Sequence, residues 1–337
     1  MKRSHKAMAL LFAKRLGLFT LARWLTSDGV RILCYHGIWL ADDGFEGDSM
    51  FMLIDTFERR LATIAQLGYR VVPLETAIRA FEGRATLPPA AVVITIDDGW
   101  YSTYAAMLPE LRRNAMPATL YCDTEHLTNG KPIAHMMARY LVSRAGSSAN
   151  SQSIRADLAA ATDRAAPMDA RLAAALKVAE HLNIDPEPYL ANKIFDYMTD
   201  LQLKQAAADG LDIQLHTHRH TLHDHSAPSV QREIEDNRTE LAKLLGKPQD
   251  NFTHFCYPSG VTSRSAAIAL RNLGLRSATT VKQGLAWHSS PRHFLPRILD
   301  GEHVVPITFE AELSGFAELL RLPGRMLSKL FGRSADT

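Results

Sequence analysis

The sequence predicts an α/β protein: a distorted, incomplete (β/α) barrel with a helical insertion and amphipathic helices at both termini. Three observations carry this expectation. Short apolar runs alternate with segments of helical period, the pattern of strand–helix–strand crossovers in a parallel sheet. One run, AVVITI, is nearly continuously apolar, as a strand covered on both faces requires. About seven or eight strand candidates can be counted, which suits a sheet that curls toward closure.

The elements follow in order. RILCYHG, residues 31–37, reads as a strand. FERRLATIAQLG reads as a helix stopped by Gly68. YRVVPL is a further strand, and ETAIRAFEG a helix ending in glycine. AVVITIDD is the buried strand, followed by a helix over 102–114 and the strand PATLYCDT. Residues 133–208 break the rhythm. They read as mostly helical, with a soft AGSSANSQS turn and an alanine-rich middle, and are expected to form an insertion within the barrel. Strands then return in LDIQLHTH, THFCYPSG, RSATTV and LPRILD, with helices over 229–245 and 264–273. The expected organisation is an N-terminal basic helix over 1–29, a barrel over 30–305 and an amphipathic tail over 306–337.

Composition narrows the function. The chain of 337 residues is 46% hydrophobic and 22% charged, long enough for one large core. A net charge of +2 gives no global attraction to nucleic acid. The cysteines Cys34, Cys122 and Cys256 sit in apolar runs with no C-x-x-C, so neither a disulfide framework nor a thiolate metal site is expected. No G-x-G-x-x-G or Walker loop follows a strand. The first 25 residues carry Lys2, Arg3, Lys6, Lys14, Arg15 and Arg23 and no acid. The C-terminal FAELLRLPGRMLSKLFGR is similarly basic and apolar. No run reaches the roughly 18 apolar residues of a spanning helix. The ends are read as basic amphipathic helices on an anionic membrane surface, the alternative being helices docked on the domain. The expected location is cytoplasmic, with peripheral contact at the inner face of the membrane.

The chemistry is expected at the carboxyl ends of the strands, where α/β barrels place it. Those ends give His36, then Asp97 and Asp98, then His216-Thr217-His218-Arg219-His220, then Cys256-Tyr257-Pro258, then Asp300. His216 and His220 are four apart and would project together from a helical turn. Two imidazoles and one carboxylate make a three-ligand site with an open position, as a catalytic zinc requires. Adjacent carboxylates in a strand point opposite ways, so one can bind the metal while the other serves as a base toward water. Taken singly these pieces are weak: a DDG is usually a turn or a cap, and a His-rich loop is usually solvated.

YHGI, LGYRVVPL, AVVITIDDGW, YSTYAAMLPELRRNAMPATLYCDT, HTHRH and FCYPSG, in this order, resemble the polysaccharide deacetylases of carbohydrate esterase family 4. The similarity is greatest to the branch acting on poly-N-acetylglucosamine and other bacterial exopolysaccharides. The resemblance spans residues 30 to 300, apart from the insertion. It implies a divalent metal, zinc in most of the family, held by Asp98, His216 and His220, and an N-acetylated glycan as substrate. It implies Asp97 as general base, Thr217 as a buttress, and the Tyr257 N–H as an oxyanion donor. Trp100, Tyr257 and Pro258 are the implied substrate contacts. The sequence departs from the family pattern in three places. Ile96 stands where an aromatic usually precedes the two aspartates, a harmless change. Cys256 stands where an arginine usually orients the base, and Arg297 is the expected replacement, bonded directly to Asp97. The late motif that supplies the general acid is missing, leaving His223, His225, His288, His293 and His303 as candidates. The implied activity is metal-dependent deacetylation. The alternatives are a non-catalytic glycan-binding member of the fold and a metal-dependent amidohydrolase on a small substrate.

Overall fold

In the computed structural model, which describes residues 2–41, 51–129, 131–146, 151–222 and 225–321, the helices and strands alternate along most of the chain. It opens on a helical hairpin, α1 (Lys2–Arg15) and α2 (Leu18–Leu25), turned at Gly17 with a left-handed φ of 74°. Strand β1 (Arg31–Tyr35) follows, then a small parallel pair, β2 (Gly37–Ile38) and β3 (Phe51–Met52). Helices α3 (Ile54–Gln66) and α4 (Leu74–Phe81) lead to β4 (Val92–Asp98), α5 (Leu108–Arg113) and β5 (Ala118–Cys122). Six helices come next: α6 (Glu125–Asn129), α7 (Ala134–Ala145), α8 (Gln152–Thr162), α9 (Met168–Leu182), α10 (Glu187–Ala191) and α11 (Asp200–Ala208). The barrel resumes with β6 (Asp212–Leu215), α12 (Ala227–Leu245), β7 (His254–Cys256), α13 (Arg264–Asn272), β8 (Ser277–Gln283) and β9 (Leu295–Leu299). Helix α14 (Pro306–Leu313) follows the last strand.

The strands β1-β4-β5-β6-β7-β8-β9 form a closed parallel barrel. Closure is made by β1 against β9, in the register Leu33↔Ile298 and Cys34↔Leu299. The barrel has seven strands where a full (β/α) barrel has eight. It is distorted at two joints: β6 meets β7 through Leu215↔Phe255, and β8–β9 carries an irregularity between Thr279 and Gln283. One expected strand is reduced. YRVVPL contributes only the Val71↔Val92 bridge beside β4.

Alternation along each strand sorts the side chains into two layers. Leu33, Ile94, Ile96, Leu120, Ile213, Leu215, Phe255 and Ile298 pack outward into the main core, which Phe57, Leu61 and Ile64 of α3 help to cover. These three lie on one face of α3 at helical spacing, and burial of that face is what fixes the helix on the barrel. The other layer faces the lumen. Ile32, Val93, Tyr121, Cys256 and Leu295 form its apolar cluster. Further along the same strands Thr95, Asp97 and Arg297 follow, all buried. The lumen is thus apolar below and polar toward the carboxyl end, and a large core supports the polar layer from outside.

The N-terminal hairpin is docked as well as amphipathic. Leu10, Ala13 and Phe19 cluster with Ile307 and Ala311 of α14. Arg31, buried at the start of β1, donates to the carbonyls of Thr26, Gly29 and Leu313, which ties the hairpin to α14. Most of the expected basic C-terminal stretch lies outside the described residues.

Candidate metal centre and active site

Two carboxylates end β4, and the backbone separates their tasks. Asp97 keeps the strand alternation and points into the lumen. Asp98 has a φ of 81°, a left-handed conformation that costs a non-glycine residue stability and clusters at functional sites. That turn carries its side chain over the rim. Asp98 Oδ1 lies 3.3 Å from His216 Nε2 and 3.2 Å from His220 Nε2. Its other oxygen accepts the Trp100 indole N–H at 2.9 Å. Gly99 follows at φ 125°, and a Cβ there would meet Cys122 Sγ at 3.0 Å.

The two histidines converge by a different route from the one their spacing implies. No helical turn joins them. Strand β6 stops at Leu215, and the following loop uses left-handed backbone at Thr217 (φ 67°) and His220 (φ 51°). Thr217 Oγ1 accepts the Thr221 N–H at 3.0 Å and so buttresses the loop. His216 Nδ1 lies 2.8 Å from the Cys256 carbonyl and donates to it, which leaves Nε2 as a lone pair aimed at the rim. The His216 backbone N–H donates to Asn237 Oδ1, and Asn237 in turn donates to Cys122 O and Thr124 Oγ1. His218 turns away to Thr124 Oγ1, at 2.7 Å. Ligand atoms of Asp98, His216 and His220 lie within 4.8 Å of one another. Two oriented imidazoles and a carboxylate are a donor set that suits a divalent cation such as zinc.

Asp97 lies beneath this cluster. Arg297 donates Nη1 to Oδ1 and Nη2 to Oδ2, both at 2.7 Å, so the guanidinium grips the carboxylate with two bonds. Arg297 is held in turn by Thr280 O at 2.9 Å and Thr95 Oγ1 at 3.1 Å. Burial pushes the Asp97 carboxyl up, but Arg297 outweighs it and holds the pKa at about 2. Cys256 Sγ sits 3.1 Å from Arg297 Nη2 and 3.4 Å from Asp97 Oδ2, so the thiol fills space in the pair's layer while the guanidinium enters from β9.

Several expected roles do not fit. The Tyr257 N–H donates to Thr279 O at 3.2 Å, within the β7–β8 pairing, and is not free for an oxyanion. Tyr257 and Pro258 are buried, with the Tyr257 ring stacked on Phe294, so neither presents a face to a sugar. Trp100 is 1% exposed and packs between Phe51 and Tyr197. It orients Asp98 instead of offering a stacking surface. Asp300 follows β9 directly but pairs with Arg60 at 2.9 Å, outside the site. Among the candidate proton donors, His293 precedes β9 and meets Leu275 O at the opposite end of the barrel. His288 lines a cavity there with Asp28 and Val30. His223 lies outside the described residues.

Two further rim histidines acquire specific partners or neighbours in the fold. His36 Nε2 lies 3.8 Å from Asp97 Oδ2, and its Nδ1 is buried without a hydrogen-bond partner. His126 Nδ1 lies 2.8 Å from Asp123 Oδ1. Burial pulls the His126 pKa down, but Asp123 more than offsets it, and the net shift is upward. His36 follows a strand run in the sequence, a signal shared with structural histidines. His126 has no signal in its flanking residues.

Above Asp98 and His220 opens a cavity of about 470 Å³. Its far wall comes from the insertion, through residues that include His135, Arg164, Arg171 and Tyr197.

A parallel barrel with a two-histidine, one-carboxylate cluster that could hold a metal ion, and a separately anchored aspartate beside it, is an arrangement suited to hydrolysis. The family model for polysaccharide deacetylase matches residues 173–278, which include His216, His220 and Cys256. The match spans about a third of the chain, and the seven-stranded parallel barrel is consistent with the NodB-like fold of that family. Comparison with curated proteins found no match. Among solved structures, the chain is similar to the Streptococcus pyogenes deacetylase PplD in complex with acetate. The two share 18% identity and a TM-score of 0.58, covering 85% of this chain and 98% of that one. IcaB from Ammonifex degensii has 20% identity and a TM-score of 0.53, over 86% and 97% of the two chains. The BpsB deacetylase domain from Bordetella bronchiseptica has 18% identity and a TM-score of 0.52, over 81% and 96%. At these identities the likeness is one of fold.

Proposed function

We propose that the protein is a zinc-dependent N-deacetylase of a bacterial glycan. The observation that carries this reading is the Arg297–Asp97 pair lying directly below the Asp98, His216 and His220 cluster. Asp98, His216 and His220 would hold the metal, which would supply Lewis-acid polarisation of the acetyl carbonyl and a lowered pKa for water. Asp97, kept ionised by Arg297, accepts the proton of the attacking water. His36 delivers a proton to the departing nitrogen as the C–N bond breaks, releasing acetate and a free amine. With both a base and a proton donor at the rim, a binding-only role has no support. The test is acetate release from N-acetylglucosamine oligomers alongside metal content. Release that ignores oligomer length would favour a small-substrate amidohydrolase instead.

The donor assignment has its own check. His36→Gln is expected to lower the rate about 10²–10⁴-fold with metal content unchanged. His126→Gln is the control. If it loses the rate while His36→Gln keeps it, the donor is the Asp123-bound histidine.

We also propose that the protein works at an anionic membrane surface. No helix among the described residues is long and apolar enough to cross a membrane. The α1–α2 hairpin, however, turns its larger apolar side chains outward: Met8, Leu11, Phe12, Leu16, Leu21 and Trp24 are exposed, Trp24 at 71%. Lys6 and Arg15 are exposed on the same hairpin. Apolar side chains with flanking cations suit an anionic lipid surface. Phe12→Glu with Trp24→Glu is expected to abolish salt-sensitive flotation with phosphatidylglycerol vesicles and leave stability within about 0.5 kcal/mol. Unchanged flotation rejects the proposal. Truncation of residues 1–26 is a poor substitute, because it also removes Leu10, Ala13 and Phe19 from α14 and Thr26 from Arg31.

A further inference from the structure

The cavity over the metal centre is lined by three arginines, two of which form no ion pair among the described residues. Arg164, in the α8–α9 turn, Arg171, in α9, and Arg219, after β6, all line it. Arg219 is paired, with Nη1 2.8 Å from Glu233 Oε1 and Nη2 2.7 Å from Asp236 Oδ2. Arg164 and Arg171 are not: among the described residues, neither has a carboxylate within ion-pair distance. Arg171 is 9% exposed, yet its contacts are long and neutral, Nε to Ala161 O at 3.3 Å and Nη2 to His135 Nδ1 at 3.4 Å. Arg164 is exposed and reaches the His220 carbonyl with Nη1, at 3.4 Å.

Burying a guanidinium without a counter-charge is unfavourable, and proteins ordinarily avoid it. The effect is felt locally. Burial first, and then Arg164, pull the Arg171 pKa below its ordinary value, outweighing the more distant Glu125 and Asp163, neither of which is in ion-pair contact with it. His135 is driven down to about 3, first by burial and then by Arg171, His126, Arg139 and Arg164. A surplus of this kind suits an anion that arrives from outside. A guanidinium fork matches the oxygens of a carboxylate or phosphate.

We propose that Arg164 and Arg171 form an anion clamp, and that the glycan this enzyme deacetylates carries a phosphate or carboxylate group close to the reacting acetamido sugar. This rests on the deacetylase reading of the metal centre. The contact of Arg164 with the His220 carbonyl sets the anion beside the metal-ligand loop, so the charge belongs to the reacting sugar or its neighbour.

The metal-loaded enzyme is tested on three soluble substrates: a neutral N-acetylglucosamine tetramer, an oligomer alternating N-acetylglucosamine with glucuronic acid, and N-acetylglucosamine 1-phosphate. At least one acidic substrate is expected to exceed the tetramer in kcat/KM by about 10–100-fold, the range for one charged hydrogen-bonding partner. Preference for the sugar phosphate or for the uronate identifies the source of the charge. In Arg164→Gln and Arg171→Gln the acidic-over-neutral ratio falls toward one, mainly through KM, and Arg171→Lys restores part of it. Equal use of all three substrates, or a ratio unmoved by the variants, overturns the clamp. A second readout needs no turnover. Inorganic phosphate binding, measured by calorimetry, is expected to weaken about tenfold in Arg164→Gln, whose exposed side chain can be removed without loss of folding. Unchanged phosphate binding also overturns the proposal. Absence of acetate from every substrate, with phosphate binding still dependent on Arg164, would instead reject the deacetylase reading and leave the clamp in place.

Discussion

Asp97→Asn is expected to retain the metal and lose about 10²–10⁴-fold in acetate release. The reasoning is geometric. Asp97 takes no part in the cluster of Asp98, His216 and His220, and it is separately anchored by two 2.7 Å bonds from Arg297. An amide in its place is nearly isosteric but cannot accept the proton of the attacking water. Asp98→Asn is expected to do the opposite, because Asp98 is the carboxylate within reach of both imidazole Nε2 atoms. Metal content measured by mass spectrometry then falls together with the rate. Retention of metal by Asp98→Asn and its loss from Asp97→Asn would exchange the two assignments.

Arg297→Ala is the second large effect, and it should appear in stability as well as rate. Arg297 has no exposed surface, and Asp97 is almost as deeply buried. Removing one partner of such a pair leaves the other charged and desolvated, at a cost of about 3–5 kcal/mol. The Asp97 carboxylate also loses the two bonds that fix its direction, and misplacement of a reacting group costs about 10²-fold in rate. Metal content should be unchanged, since none of the three ligands touches Arg297. Arg297→Lys keeps the charge but not the fork, so it should recover stability more than rate. Thermal denaturation combined with steady-state kinetics separates the two effects. A variant that unfolds no more easily than the parent and turns over normally would show that the pair is dispensable.

The Arg297–Asp97 contact could be read from sequence because barrel closure returns a late strand beside an early one, and an inward residue on β9 then faces an inward residue on β4. The convergence of Asp98, His216 and His220 was legible for a similar reason: they stand at or just beyond the carboxyl ends of predicted strands. The mode of convergence was not. Spacing of four implied a helical turn, whereas the loop uses left-handed backbone at Thr217 and His220, which nothing in H-T-H-R-H announces. Motif position points to the Tyr257 N–H as an oxyanion donor, and only its bond to Thr279 O beside the β7–β8 pairing shows it to be engaged. Trp100 gave no sign of which way its ring would turn. The cavity wall was the least legible part. Arg164 and Arg171 lie in alanine-rich helical sequence with no strand end to locate them, and their convergence depends on how α7, α8 and α9 pack.

That wall belongs to a piece of chain inserted between β5 and β6, while Asp97, Asp98, His216 and His220 belong to the barrel strands and the loop after β6. On the proposed reading, selectivity and chemistry are encoded in separable stretches of sequence. Changes within α8 and α9 can accumulate, or a foreign helical segment can be grafted at the same junction, while the barrel goes on presenting the same ligands in the same register. An enzyme arranged in this way has a route to new glycans that does not pass through loss of turnover, and the insertion is the place to begin when re-engineering what it accepts.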